Sequence, residues 1–214
     1  MKEKIADRKF LFAVYDGVGG AKYGDKASFC AASETKIFID NLRKDEYDSE
    51  ESMLNALCIY LNAKVYEMSL NYEGSMSGTT FAALYFDNDR VWSCNVGDSR
   101  CYRLRNGVLE MLSMDHDEDM FSANKVKRKR KARLIQCLGM NPKEGLIEPF
   151  ITSDERKEGD VFLICSDGLT DMVAEPDIAE ILRKDDKTQT VASELIEMAL
   201  TNGGKDNVTA IVCR

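Results

Sequence analysis

The 214-residue chain is poor in residues that interrupt structure or carry a chain through a membrane: it has three prolines, one tryptophan and one histidine. So few prolines, beside 14 glycines, leave little of the chain to read as linker. No stretch approaches the ~18 consecutive apolar residues of a membrane-spanning helix. The N-terminus, MKEKIADRKF, lacks the apolar region of a secretory signal. Positive charge is not in surplus either. The formal net charge is −8, which argues against a partner with a phosphate backbone. None of the seven cysteines forms a CxxC pair, so a zinc ribbon or thioredoxin-like motif is not expected. Ser99 and Ser166 have no histidine near them in sequence, and one histidine in the chain argues against a Ser-His-Asp triad. That histidine, His116, reads as a loop residue rather than a catalytic or metal-ligating one. Cys94, Cys101, Cys165 and Cys213 sit inside apolar runs and read as reduced core thiols. The expectation is a cytoplasmic protein that binds neither nucleic acid nor membrane.

What is present is material for a core. Hydrophobic residues make up 44% of the chain and charged residues 31%, and one domain over residues 1–214 is expected. Phe10 to Tyr15 (FLFAVY) is a short apolar run that Asp16-Gly17 stops, which predicts a buried strand. Helical periodicity follows from Asp25 to Leu42 and again from about Glu50 to Leu70, the second with Ser49 as N-cap and Ser52 at the capping-box position. Thr79–Phe86, Val91–Val96, Arg100–Arg105 and Val108–Leu112 read as strands of an antiparallel meander. Asn106-Gly107 is a strong hairpin signal within it. Trp92 reads as a core residue, and Ser77 to Thr80 as the start of a strand. Asp160–Ser166 and Val208–Cys213 are further strands, and Pro176–Arg183 and Thr190–Leu200 further helices. The order is strand, two helices, many strands, two helices, strand. It predicts an α+β fold with helices segregated from antiparallel sheets.

Four aspartates share one context. Asp16 follows FLFAVY, Asp98 follows VWSCNVG, Asp167 follows FLICS, and Asp206 lies in GGKDN before VTAIVC. Strand ends are rigid and their loops can converge on one spot. Converging carboxylates raise one another's pKa unless a cation offsets them. Oxygen ligands suit hard ions such as Mg²⁺, Mn²⁺ or Ca²⁺, and a pair of ions can clamp a phosphoryl group. Gly17 would let a backbone carbonyl approach such an ion. Taken singly, each Asp reads first as a turn or cap residue.

Longer blocks carry a resemblance. FAVYDGVGGAKYGDKAS resembles the pattern VxDGMGGxxxGExAS, and GDVFLICSDGLTDMV resembles GDxxLLCSDGLxDxV. SGTT through NVGDSRCYRLRNGVLEMLSMDH and the closing GGKDNVTAIV resemble two further blocks, in the same order and with similar spacing. All four are blocks of the type 2C (PPM) metal-dependent Ser/Thr protein phosphatases, in their bacterial form. The resemblance implies a four-layer αββα sandwich of two antiparallel sheets flanked by helix pairs. It implies Mn²⁺ or Mg²⁺, two ions with a third in bacterial members, at Asp16, Gly17, Asp98, Asp167 and Asp206, with Asp16, Asp167 and Asp206 catalytic. A metal-bridged water would attack the phosphorus of phosphoserine or phosphothreonine in line. The implied partners are phosphoprotein substrates and a Ser/Thr kinase that shares them.

The chain also departs from the pattern. The family's first strand carries an Arg and a Glu-Asp pair, and Met1 to Lys9 contains Glu3, Asp7 and Arg8 but no such motif. The expectation is therefore a domain that lacks this strand and is N-terminally incomplete, with an unpaired edge on the Phe10–Tyr15 strand. Val18 stands where bacterial members usually have Met. The run Lys125, Lys127, Arg128, Lys129, Arg130, Lys131 and Arg133 reads either as a solvated face or as a flap that steers acidic phosphopeptides. A second functional reading is a phosphatase-like regulatory module that binds without turnover.

Overall fold

The structure is a computed structural model that describes residues 1–6, 9–18, 23–43, 46–72, 77–120 and 132–214. In chain order the strands and helices are β1 (Lys2–Ala6), β2 (Lys9–Val14), α1 (Gly24–Asp40), α2 (Glu50–Ser69), β3 (Phe81–Asp87), β4 (Arg90–Val96), β5 (Arg100–Arg105) and β6 (Val108–Met111). They continue with β7 (Phe150–Glu155), β8 (Val161–Cys165), α3 (Asp167–Thr170), α4 (Glu175–Leu182), α5 (Thr188–Thr201) and β9 (Ala210–Cys213). Among the described residues the strands form two antiparallel sheets, ordered β1-β2-β3-β4-β7 and β6-β5-β8-β9.

The side-chain period of a strand explains why the sheets stack. On β3, Phe81, Ala83 and Tyr85 pack with Ala27, Ala31, Leu57 and Leu61 of the first helix pair. The alternate residues Ala82, Leu84 and Phe86 pack with Phe162 and Ile164 of β8 between the sheets. On β8 the remaining residues, Val161, Leu163 and Cys165, face Ile178, Leu182 and Leu195 of α4 and α5. Strands covered on both faces read as continuous apolar runs, which is how FAALYF and VFLIC appear in the sequence. The result is the αββα sandwich that the resemblance implies. The Ser49–Ser52 capping box on α2 is also present, each backbone N–H donating to the other residue's hydroxyl at 3.1 Å.

Three expectations need correction. The central strands are not one meander: β3 and β4 pair in the first sheet, whereas β5 and β6 pair in the second, so the Gly97–Ser99 connection crosses between sheets. Packing accompanies this: Cys94 and Val96 of β4 join the core under α1 and α2, whereas Tyr102 and Leu104 of β5 join the core under α4 and α5. The edge of β2 is not bare: β1 pairs with it, Lys2 opposite Phe12 and Glu3 opposite Leu11, although KEKIA carries neither the Arg nor the Glu-Asp pair. Trp92 is only partly buried against the core. The basic run from Lys125 to Lys131 lies outside the described residues, as do Asp7 and Arg8.

Candidate active site

Asp16 is placed by strand pairing. β2 runs antiparallel to β3 with Val14 opposite Ala82, and the pairing continues beyond the strands to set Asp16 against Thr80. The Asp16 carbonyl accepts from the Thr80 N–H at 2.8 Å and from the Thr79 hydroxyl at 2.9 Å, while the Asp16 N–H donates to Thr80 Oγ1 at 3.1 Å. Two residues on, the Val18 N–H donates to Gly78 O at 3.0 Å. With its backbone pinned on both sides, Asp16 can point its carboxylate only where the turn directs it. Gly17 is required by close packing: a Cβ there would lie 2.4 Å from the backbone carbon and oxygen of Gly24, in the first turn of α1.

The loops that carry Asp167 and Asp206 pack against each other. β8 pairs with β9, and just beyond that ladder the Ser166 N–H donates to Thr209 O at 3.1 Å. The Ser166 hydroxyl accepts from the Thr209 N–H at 3.0 Å and donates to Asn207 O at 3.3 Å. A Cβ on Gly168 would sit 2.2 Å from Asn207 O, so the loop after Asp167 rests directly on the loop that carries Asp206. Asp206 is exposed, and one of its oxygens accepts from the Asn207 N–H at 2.8 Å. Asp98 lies on the crossover between the sheets and is 8% exposed. Its neighbour Ser99 is tied to Thr80 by a 2.7 Å hydroxyl pair.

These loops converge. Asp16 shares a hydrogen bond with Asp167, and the charges of Asp167, Asp206 and Asp98 all act on it. Burial first, then the negative charge of Asp167, push its carboxyl up to about 7, from an ordinary 3.8. Among the described residues, no three Asp, Glu, His or Cys side chains stand around one point closely enough to hold an ion. Asp16 and Asp167 meet directly, and Asp206 and Asp98 reach Asp16 through charge. Carboxylates and a glycine carbonyl are hard oxygen donors, and a cation among them would remove the like-charge cost that Asp16 carries. The residues therefore fit a hard divalent ion.

Thr79, Thr80 and Ser166 were not expected to matter to the site, yet they fix where its aspartates point. The sequence signal was polar residues at strand ends next to the acidic ones, which is equally the signal of an ordinary strand start. His116 lies in a loop, as expected, and is buried, with its Nδ1 accepting from the Gly97 N–H at 3.0 Å.

The family model described as Protein phosphatase 2C matches residues 3–201. The chain is similar to the serine/threonine phosphatase stp of Listeria innocua, with 31% identity over 96% of this chain and 84% of that one. Its structure is similar to the catalytic domain of the serine/threonine protein phosphatase PstP in complex with two manganese ions, with a TM-score of 0.77 and 30% identity over 94% of this chain and 86% of that one. It is also similar to the serine/threonine phosphatase Stp1 of Staphylococcus aureus, with a TM-score of 0.85 and 26% identity over 95% of this chain and 83% of that one.

Proposed function

The chain belongs to the protein phosphatase 2C family, and from that premise we propose that it hydrolyses phosphoserine and phosphothreonine in proteins with the help of Mn²⁺ or Mg²⁺. The observation that carries the reading is the state of Asp16. Its backbone is held in place by Thr79 and Thr80, and its carboxyl is forced up to about 7 by burial and by three other aspartates. A cluster of this kind calls for cations.

In this reading Asp16, the Gly17 carbonyl, Asp167 and Asp206 would hold the two principal ions. Asp98 with Asp167 would hold a third. When bound, the ions lower the pKa of the attacking water and offset charge on the phosphoryl group. The chain's own part is placement. The Thr79–Thr80 clamp and the Gly17–Gly24 contact orient Asp16. The Ser166 hydroxyl and the Gly168–Asn207 contact set the spacing between Asp167 and Asp206. Rigid placement matters because displacement by an ångström at such a site costs rate steeply.

The substrates are phosphoproteins, as the names of the relatives support, and a Ser/Thr kinase with overlapping targets is the natural counterpart. All seven cysteines are free thiols, which supports a reducing, cytoplasmic setting. No helix among the described residues is long and apolar enough to cross a membrane. The same reading takes residues 1–214 as one domain.

The test is release of phosphate from a phosphothreonine peptide with Mn²⁺, with EDTA, and by an Asp16→Asn variant. Turnover that disappears in EDTA and in the variant is expected. A folded wild-type protein that binds Mn²⁺ and a phosphopeptide without turnover would instead be a regulatory binding module.

A further inference from the structure

Asp98 is bracketed by two residues whose backbone and side chains are held from outside its own loop. On one side Ser99 is tied to Thr80. On the other, Gly97 is gripped twice by one residue: its N–H donates to His116 Nδ1 at 3.0 Å, and its carbonyl accepts from the His116 N–H at 3.0 Å. Gly97 has a φ of +104°, and a Cβ there would lie 2.8 Å from Thr80 Cγ2, so this conformation is open to glycine and closed to larger residues. The Gly97 carbonyl also accepts from Asn95 Nδ2 at 3.3 Å. His116 is itself anchored: its carbonyl accepts from the Ile135 N–H at 2.9 Å, and its side chain is 1% exposed.

We propose that His116 is a positioning residue for Asp98: a neutral imidazole whose Nδ1 acceptor fixes the Gly97 peptide and thereby aims the Asp98 carboxylate at its divalent ion. The inference rests on the reading of Asp98 as a metal ligand. It requires one tautomer, because a ring nitrogen that accepts from a backbone N–H cannot carry a proton, so the proton sits on Nε2. Burial holds the imidazole below its ordinary pKa against the opposing charges of Asp115 and Glu148, consistent with the neutral form. Asp115 is largely occupied by Arg100, whose Nε and Nη2 donate to it at 2.9 and 2.6 Å. Residues that orient a metal ligand typically contribute ~10–100-fold in metal affinity.

The test uses the full chain and Mn²⁺ itself, with binding followed by calorimetry and by the Mn²⁺ electron paramagnetic resonance signal. Asp98→Asn should abolish one ion and leave the other ions bound. His116→Leu should weaken that same ion by ~10–100-fold. His116→Asn, whose Oδ1 can stand where Nδ1 does, should restore its affinity. Should His116→Leu fail to fold, nitrogen NMR of the wild-type imidazole decides the matter: a neutral ring protonated at Nε2 is required, and a proton on Nδ1 overturns the proposal. Loss of the ion in Asp98→Asn with unchanged binding in a folded His116→Leu would overturn this inference alone. Unchanged binding in Asp98→Asn would overturn the ligand reading and this inference with it.

Discussion

Replacing Asp16 by Asn should stabilise the metal-free protein even though it disables the site. Asp16 is pushed from 3.8 to about 7 by burial and by Asp167, Asp206 and Asp98. A raised carboxyl pKa means that the folded state holds the proton more tightly than the unfolded chain does. Below pH ~4 both states are protonated and the penalty is absent. As pH rises towards 7 the unfolded chain ionises first, so the wild-type fold loses stability through this window and carries the full penalty above it. A rise from 3.8 to about 7 corresponds to a ceiling of ~4 kcal/mol. Because Asp16 is only partly buried, solvent screening and rotation of the carboxylates reduce this to ~1–2 kcal/mol. Asn removes the charge and can still donate to Asp167. In EDTA at pH 7.5, Asp16→Asn should therefore melt ~2–8 °C above wild type, with the gap closing towards pH 4. Saturating Mn²⁺ should reverse the order, since an ion present at 100 times its Kd stabilises wild type by ~2.7 kcal/mol and the variant by less. Thermal melts followed by circular dichroism from pH 4 to 8, with EDTA and with Mn²⁺, measure all of this. A variant less stable than wild type in EDTA at pH 7.5, or a gap that does not change with pH, would refute the reasoning.

Three further outcomes follow from the same geometry. Gly168→Ala places a Cβ 2.2 Å from Asn207 O, so the Asp206 loop must move; phosphopeptide turnover should fall at least tenfold and stability by ~1–3 kcal/mol in a urea titration. Thr80→Val keeps the shape but removes the acceptor for the Asp16 N–H and the partner of Ser99; a loss of ~1–3 kcal/mol and weaker Mn²⁺ binding are expected, and Thr80→Ser should recover most of both. Leu163→Ala opens a cavity between β8 and the α4/α5 layer, where Leu163 is fully buried, and should cost ~2–5 kcal/mol while leaving the fitted Mn²⁺ affinities of the folded protein unchanged.

Much of the architecture was legible because local chemistry and tertiary need agreed. The FAALYF and VFLIC runs mark strands buried on both faces, Ser49 and Ser52 mark the start of α2, and Asn106-Gly107 marks the β5–β6 turn, where Asn106 takes a φ of 51° and Gly107 of 78°. The four aspartates stood out by their place after apolar runs. The β1 strand was not legible, because KEKIA has little strand character of its own and is held by the open edge of β2. The split of the meander into two sheets was not legible either, since hairpin signals specify which neighbours pair and say nothing about whether consecutive hairpins share a sheet.

The sequence by itself determined most of the elements, the family and the identity of the acidic residues, because those depend on local periodicity, turn chemistry and motifs read in order. Only the tertiary structure decided that Asp16 meets Asp167 and feels Asp206 and Asp98. It also decided that Thr80 clamps Asp16 and, through Ser99, flanks Asp98, and that His116 grips the other side of the Asp98 loop. The reason is physical. Residues 16, 80, 98, 116 and 167 are far apart along the chain, and hydrogen bonds and Coulomb forces act over a few ångströms of space. What they do is set by the sheet register and loop packing that bring them together.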